Sequence, residues 1–147
     1  MPITVRPATE HDLTALTDLY ADLHPDDPVL ARPAAARIWR DIAGQSGRTV
    51  LIALLDGRPV GTVDCLVVAN LTRGGRPFML VENVVVAPTA RRRGVASRLF
   101  DALTGLARDA GCYKVQLLSR LDRADAHAFY ESRGLRARAH GYRLYLD

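Results

Sequence analysis

The sequence predicts an α/β protein whose mixed, mostly antiparallel sheet is flanked by helices. Strand and helix patterns follow one another in the order β-α-α-β-β-β-α-β-α-β-β, and such alternation is typical of layered α/β folds. Asp56-Gly57 separates two apolar runs and is the turn signal of an antiparallel hairpin. A helix after Val86 connects two further strands, which makes that one pair parallel.

The N-terminal part is predicted to contain one strand and two helices. Residues 3–6 form a short strand that ends at Pro7. Thr9 can then cap a helix, with the acid three residues later reaching back to it. A second helix is expected over 34–42. Helical spacing predicts the core-facing residues of the two helices: Leu13, Leu16, Tyr20, Leu23, Ile38, Trp39 and Ile42.

The centre of the chain is predicted to contain three strands and a long helix. Residues 50–55 and 60–68 are the hairpin strands, and a polar loop over 70–75 follows. The run 78–86 is apolar and rich in valine, which predicts a strand buried on both faces. A helix is expected from Gly94 to about residue 110, with Gly111 as its natural end.

The last part is predicted to complete the sheet. A strand over 113–118 precedes a helix that Asp122 or Asp125 can cap and that Gly134 ends. Two short strands follow, over 135–139 and 142–146. Since the chain has 147 residues, a single domain over 1–147 is expected.

Composition narrows the classes of function. Hydrophobic residues make up 48% and charged residues 24% of the chain, as in an ordinary globular protein. The formal net charge of +4 favours an anionic partner. Nearly all of the positive charge is arginine, which suits bidentate phosphate contacts. The simpler alternative is that arginine is this chain's usual surface cation. A nucleic-acid-binding module is not expected, because no helix-turn-helix, aromatic platform or lysine-rich arm is recognisable.

Cysteine and histidine spacing predicts no metal site. Cys65 and Cys112 form no C-x-x-C pair, and the four histidines make no ligand set. Both cysteines are expected to be small buried side chains in a reducing compartment. The N-terminal residues lack the features of a signal peptide, and no apolar run approaches the ~20 residues that span a bilayer. A soluble, cytoplasmic protein without membrane association is expected.

The strongest chemical signal is an arginine-rich turn between a strand and a helix. The strand at 84–86 ends, Arg91, Arg92 and Arg93 follow, and a helix begins at Gly94. The unpaired N–H groups of a first helical turn, together with the helix dipole, favour an anion. The glycine lets a ligand approach the backbone. The pattern alone leaves open a solvated basic loop before an ordinary helix.

The pattern V-V-V-x-P-x-x-R-x-x-G-V-A-x-x-L over this turn resembles the acyl-coenzyme A-binding motif of the GCN5-related N-acetyltransferase (GNAT) superfamily. The resemblance implies a splayed GNAT-like sheet and acetyl-coenzyme A as co-substrate. It implies that the turn's N–H groups bind the pyrophosphate and that the preceding strand edge pairs with pantetheine. The cofactor-binding residues that it implies, with two from the next motif, are Val84, Val85, Val86, Arg91, Arg92, Arg93, Gly94, Val95, Ala96, Ser97, Arg123 and Phe129.

A second segment, A-H-A-F-Y-E-S-R-G-L over 126–135, resembles the A-x-x-F-Y-E-x-x-G-F stretch of the same superfamily. The resemblance implies that Tyr130 is the general acid that protonates the departing thiolate; the alternative is that Phe129 and Tyr130 only pack the helix. Family members often have asparagine seven residues before this tyrosine, where the present chain has Arg123. An arginine there is suited to a phosphate.

Glu82 is the candidate general base. It lies with Asn83 inside the apolar run, and a buried carboxylate needs a partner or a purpose. A structural hydrogen bond or an ion pair with an arginine is the open alternative. By resemblance, the backbone N–H of Val84 is the oxyanion donor. A mechanism through an acylated cysteine is disfavoured, because neither cysteine has a neighbouring histidine as an activating base.

The acceptor is less specified than the cofactor. The segment G-C-Y-K-V over 111–115, with the acidic-then-valine strand before it, resembles eukaryotic glucosamine-6-phosphate N-acetyltransferases and favours a small-molecule amine. The loops 24–28 and 70–76 are the candidate acceptor side, with Asp26 and Asp27 for an ammonium and Arg73 and Arg76 for an anion. A protein N-terminal or lysine acetyltransferase, a non-catalytic acyl-coenzyme A-binding domain and a homodimer remain open.

Overall fold

A computed structural model describes residues 2–147. The chain divides into two compact units, the first ending at Gln116 and the second comprising Leu117–Asp147; the single domain over 1–147 stays a prediction. The elements in chain order are β1 (Ile3–Pro7), α1 (Leu13–Leu23), α2 (Arg32–Gly44), β2 (Arg48–Leu55), β3 (Arg58–Val68), β4 (Phe78–Val86), α3 (Val95–Asp109), β5 (Val115–Leu117) and α4 (Ala124–Ser132). Short 3-10 turns precede α1, β4 and α3.

The sheet has the order β1-β2-β3-β4-β5. The first four strands are antiparallel neighbours. The N–H of Tyr113 donates to the carbonyl of Pro77, and that of Met79 donates to the carbonyl of Lys114. Residue numbers rise together along β4 and β5, so these two strands are parallel. The mixed, mostly antiparallel sheet is therefore confirmed.

Helices cover both faces of this sheet. Leu13 of α1 and Trp39 of α2 pack in one cluster with Val50 and Ile52 of β2. Gly61 of β3 faces α3 instead, because a Cβ added there would lie 3.0 Å from Val95 Cγ1. Thr62, the neighbour of Gly61, pairs with Ile52, so α1 and α2 lie on one face and α3 on the other.

Several local predictions are confirmed. The carboxylate of Asp12 accepts a hydrogen bond from the N–H of Thr9 at 2.8 Å, which is the expected helix-start contact. Asp12 also pairs with Arg6 at 2.7 Å, and this partner lowers the pKa of Asp12 to about 2. Asp56 and Gly57 have φ of 52° and 79°, as a two-residue hairpin turn requires.

Two predictions about side-chain burial are wrong in the first unit. Ile38 is 44% exposed, while Ala35 and Trp39 provide the buried face of α2. The strand 78–86 is not buried on both faces, because Glu82 and Asn83 are exposed. This part of the sheet is therefore open to solvent at the two polar residues of the apolar run.

The second unit contains one helix followed by irregular chain. The N-cap of α4 is Arg123, without a side-chain capping bond, so neither predicted aspartate caps it. The helix ends before Gly134, whose φ is 92°, as predicted. The strands expected over 135–139 and 142–146 are wrong, since this segment has no regular structure. Within residues 2–147, no helix is long and apolar enough to cross a membrane.

Candidate active site

The central feature of the candidate site is a β-bulge in β4. Asp64 pairs with Glu82, and Thr62 pairs with Val85, so one residue of β3 faces two residues of β4. Asn83 has φ of 52°, a left-handed conformation that asparagine tolerates better than most residues. Sequence analysis missed this bulge, although an asparagine within an apolar strand was a signal for it.

Beyond the bulge, the backbone edge of β4 extends past β5. The pairing of β4 with β5 begins near Met79 and Lys114, and β5 ends three residues later at Leu117. A strand of this length is too short to cover Val84 and Val86, because neighbouring strands advance together. The predicted pantetheine-pairing edge therefore lies where β5 supplies no partner.

The arginine-rich turn connects this edge directly to α3. The chain passes from Val86 through the 3-10 turn Pro88–Ala90 to Gly94, which is the N-cap of α3 in a left-handed conformation with φ of 83°. No side chain of residues 2–147 caps the helix. Among the described residues, the first-turn N–H groups of Val95, Ala96 and Ser97 have no hydrogen-bond acceptor. These groups provide the donors that an anion requires.

Positive charge surrounds the same turn. Arg91, Arg92 and Arg93 are exposed, and none of them forms an ion pair with a described residue. Three uncompensated guanidinium groups at a helix N-terminus add to the attraction of the helix dipole for an anion. The arrangement has both the charge and the hydrogen-bond donors to bind a pyrophosphate.

Glu82 is exposed, so the prediction that this candidate general base is buried is wrong. It lies directly across from Asp64 on β3, on the face of the sheet that α1 covers. Asp64 is buried and accepts two hydrogen bonds from Arg48, at 2.6 and 3.1 Å. Since Arg48 neutralises Asp64, Glu82 is the carboxylate of this cross-strand pair that has no ion-pair partner among residues 2–147.

Tyr20 of α1 lies against this ion pair, and sequence analysis predicted it only as a core residue. Burial raises the pKa of its hydroxyl, and the negative charge of Asp64 raises it further. Thr62, fully buried nearby, donates from Oγ1 to the carbonyl of Leu51 at 2.7 Å. A buried polar network therefore supports the strand opposite Glu82. Spacing along the sequence gave no signal for it, because its members come from three separate elements.

Tyr130 lies in α4, in the second unit. It is half-buried, and its ring makes an edge-to-face contact with Phe129 at 5.8 Å between centroids. Burial raises the pKa of its hydroxyl, while the charge of Arg123 opposes that increase. A phenol whose pKa lies above its ordinary value is protonated at neutral pH, which is the form that a general acid needs.

A cluster of cations surrounds the ring of Tyr113. The guanidinium carbon of Arg73 lies 5.0 Å from the ring centroid, and Lys114 Nζ lies 5.3 Å from it. Arg76 donates to the carbonyl of Cys112 at 3.4 Å. The structure thus brings the predicted anion-binding loop beside the segment 111–115, and none of these cations forms an ion pair within the described chain.

The remaining predictions concern the aspartates of the loop 24–28, the two cysteines and metal ligands. Asp26 and Asp27 are exposed and make no ion pair with a described residue. Cys65 is buried as expected, and burial raises the pKa of its thiol to about 12; Cys112 is only half-buried. A thiol with so high a pKa is a poor nucleophile at neutral pH. No group of three or more His, Cys, Asp or Glu residues within 2–147 could hold a metal ion.

The sequence model of the acetyltransferase (GNAT) family matches residues 13–135. The chain therefore belongs to the acetyltransferase (GNAT) family, and the family predicted from the turn motif is confirmed.

Individual relatives agree with this membership. A glucosamine 6-phosphate N-acetyltransferase of Trypanosoma brucei brucei is 39% identical over 88 residues, which cover 60% of this chain and 58% of that protein. An aminoglycoside N(6′)-acetyltransferase type 1 of Stenotrophomonas maltophilia is 29% identical over 135 residues, which cover 89% and 84%. The solved structure of a candidate acetyltransferase from Agrobacterium tumefaciens has a TM-score of 0.93 and 37% identity, with 97% and 99% covered. The predicted local similarity to glucosamine-6-phosphate acetyltransferases is confirmed.

Proposed function

We propose that this protein transfers the acetyl group of acetyl-coenzyme A to a primary amine of a small molecule. The main observation in support is the first turn of α3, where three N–H groups meet three arginines, and neither set has an acceptor or ion-pair partner among residues 2–147. This turn follows directly from the β4 edge that β5 does not cover. The pyrophosphate binds the turn, and the extended pantetheine arm pairs with Val84 and Val86.

The reaction proceeds by direct attack in a ternary complex. Glu82 accepts a proton from the acceptor's ammonium group, directly or through water. The amine nitrogen then attacks the thioester carbonyl, and the backbone N–H of Val84 stabilises the oxyanion. Once the C–N bond has formed, the nitrogen releases its second proton to water, the C–S bond breaks and the electron pair of that bond leaves with sulfur. Tyr130 donates its hydroxyl proton to that thiolate, and its phenolate is reprotonated from water.

The acceptor is proposed to carry an anionic group as well as the amine. Arg73 and Lys114 lie over the ring of Tyr113, and Arg76 donates to the carbonyl of the preceding residue. Such a cluster suits a phosphate or a carboxylate. Asp26 and Asp27 are the proposed partners of the protonated amine. The glucosamine 6-phosphate enzymes among the relatives are named for a substrate with both groups. An amino sugar phosphate is therefore the first acceptor to test.

An acceptor screen tests the activity. The full chain is mixed with acetyl-coenzyme A and each candidate, and free thiol release is measured. Amino sugar phosphates, aminoglycosides, amino acid derivatives and peptides with a free N-terminus or lysine are compared. Fast release with a small amine supports the proposal. Release only with peptides identifies a protein acetyltransferase, and tight coenzyme A binding without release identifies a non-catalytic binding domain.

Two variants then test the assigned residues with the best acceptor. Tyr130→Phe is expected to retain coenzyme A affinity while kcat falls by roughly 10² or more, a common scale for general acid catalysis; Tyr145→Phe, which removes an exposed hydroxyl, is the matched control.

Glu82→Gln is expected to lose most activity at low pH, where amine deprotonation is hardest, and Glu10→Gln is its control. Wild-type turnover in Tyr130→Phe, or an unchanged pH–rate profile in Glu82→Gln, rejects that assignment.

A further inference from the structure

A buried ion pair lies directly beside the proposed general base. Asp64 of β3 is 6% exposed and accepts hydrogen bonds from Arg48 of β2 at 2.6 and 3.1 Å. The same aspartate is the cross-strand partner of Glu82 on β4. Side chains that face each other in this way have Cβ atoms about 5 Å apart. Two carboxylates therefore meet on one face of the sheet, one of them buried and the other exposed.

The order of the strands determines which charge of the pair lies closer to Glu82. β3 lies between β2 and β4, so the backbone of Arg48 is two strand spacings, about 10 Å, from that of Glu82. The register partner of Arg48 on β3 is Leu66, two residues away from Asp64. The pair is neutral as a whole, yet its negative end faces Glu82.

The surroundings of Asp64 reduce the screening of its charge by water. α1 packs on β3 and β4, and Thr62, on the same face of β3, has no exposed surface. Burial raises the pKa of Tyr20 on α1, and the charge of Asp64 raises it further. This carboxylate thus acts on a group of a neighbouring element. Charges interact more strongly where water is excluded.

The other titratable groups on the α1 side are exposed to solvent. Asp18 and Asp22 are exposed and lie about 200° around the helix from Tyr20. The charged residues of the loop 24–28, which follows α1, are exposed as well. Their interactions with Glu82 are therefore screened more strongly than that of the buried aspartate.

On the opposite side of β4, charges lie further from the base. β5 contains no charged residue. Lys114, which precedes it, has its Nζ 5.2 Å from the ring centroid of Phe78. Phe78 is four residues, about 13 Å, from Glu82 along the strand, which is more than a Debye length of ~8 Å at physiological salt. Asp64 is therefore the charged group best placed to act on Glu82.

We propose that the Asp64–Arg48 pair is a positioning element of the proposed active site, in which the charge of Asp64 sets the pH range over which Glu82 works as the base. This inference rests on the proposed role of Glu82. A carboxylate is a stronger base beside a second negative charge. Arg48 keeps Asp64 ionised and limits its effect, and the bulge at Asn83 fixes the register of the two carboxylates.

Carboxyl-carbon NMR of protein labelled with ¹³C-glutamate measures this coupling without any substrate. The chain contains three glutamates, Glu10, Glu82 and Glu131, and the signal of Glu82 is the one that disappears in Glu82→Gln. In Asp64→Asn, the titration midpoint of Glu82 is expected to fall by roughly half a pH unit to one unit, because a negative charge about 6 Å away is removed. In Arg48→Met it is expected to rise, because the charge of Asp64 is no longer offset.

The matched control is Asp12→Asn. It also removes a buried carboxylate that a single arginine holds by two hydrogen bonds, since Arg6 donates to Asp12 at 2.7 and 3.0 Å. Arg6 lies on β1, three strands from β4, so the titration of Glu82 is expected to stay as in the wild type. The signals of Glu10 and Glu131 report in every variant whether the chain is folded.

The pH dependence of acetyl transfer provides the second measurement. The acid limb of the kcat/KM profile is expected to move with the NMR midpoint in both variants, while KM for acetyl-coenzyme A stays at its wild-type value. Equal midpoints in the wild type and Asp64→Asn, or shifts in the same direction in Asp64→Asn and Arg48→Met, overturn the inference whatever the activity. A midpoint that moves while the acid limb stays in place refutes Glu82 as the base, and with it the functional role of the pair.

Discussion

Gly94 offers the sharpest test of the proposal that the turn before α3 binds coenzyme A. Its φ is 83°, and an added Cβ would meet no atom of residues 2–147 within 4 Å. Alanine is therefore not excluded by packing, and it costs about 1 to 2 kcal/mol because L residues disfavour this conformation. A loss of about 1 kcal/mol lowers Tm by roughly 2–4 °C in a domain of this size.

Gly94→Ala is expected to reduce the free energy of coenzyme A binding more than the free energy of unfolding. The new methyl group occupies open space beside the first-turn N–H groups of α3, where the proposed pyrophosphate lies. Losing one hydrogen bond to a charged group costs roughly 1.5–3 kcal/mol. Since about 1.4 kcal/mol is tenfold in affinity, the Kd for coenzyme A is expected to rise between ten- and a hundredfold.

Gly57 provides a matched control for the strain. Its φ is 79°, an added Cβ likewise meets nothing within 4 Å, and it lies in the hairpin turn between β2 and β3. Gly57→Ala is expected to lower Tm by a similar amount and to leave coenzyme A affinity unchanged. Isothermal titration calorimetry with coenzyme A measures both variants. Equal affinities of Gly94→Ala and the wild type would refute binding at this turn, whatever the two Tm values are.

Three further predictions concern stability. Asp12→Asn is expected to lower the free energy of unfolding by about 1 to 2 kcal/mol at neutral pH. Because folding lowers the pKa of Asp12 from 3.8 to about 2, the difference from wild type should vanish as the pH falls through that window. Urea titrations at each pH measure this difference. Gly61→Ala should cost about 1–3 kcal/mol through overpacking against α3 and weaken coenzyme A binding, measured by thermal melts and calorimetry. Arg48→Met should lower the free energy of unfolding by roughly 3 kcal/mol, because it leaves the buried carboxylate of Asp64 unpaired. Asp64→Asn should lower it less, and equal losses in chemical denaturation would contradict this reasoning.

Local signals in the sequence predicted the parts of the fold that local chemistry determines. Asp56-Gly57 forms its turn through the backbone conformations of these two residues, independently of the rest of the fold. Gly94 likewise ends the turn that contains Arg91 to Arg93, because glycine adopts the left-handed conformation readily. The failures involve partners that are distant in sequence. Whether Glu82 is exposed depends on how far α1 covers the sheet, and the alternating pattern of 142–146 becomes a strand only where a neighbouring strand is in place. The network of Tyr20, Arg48 and Asp64 likewise appears only when three elements assemble.

The bulge at Asn83 also affects how related sequences should be aligned with this one. Up to Glu82, positions on β4 and β3 match one to one, but from Val85 onward the match is displaced by a residue. A shorter variant that lacks Asn83 would restore a plain strand in which Val85 still lies opposite Thr62, so the following valines would keep their faces. A gap placed anywhere else in this strand would therefore equate residues that face different sides of the sheet. The extra residue is a fixed reference point from which the positions proposed to face coenzyme A can be counted.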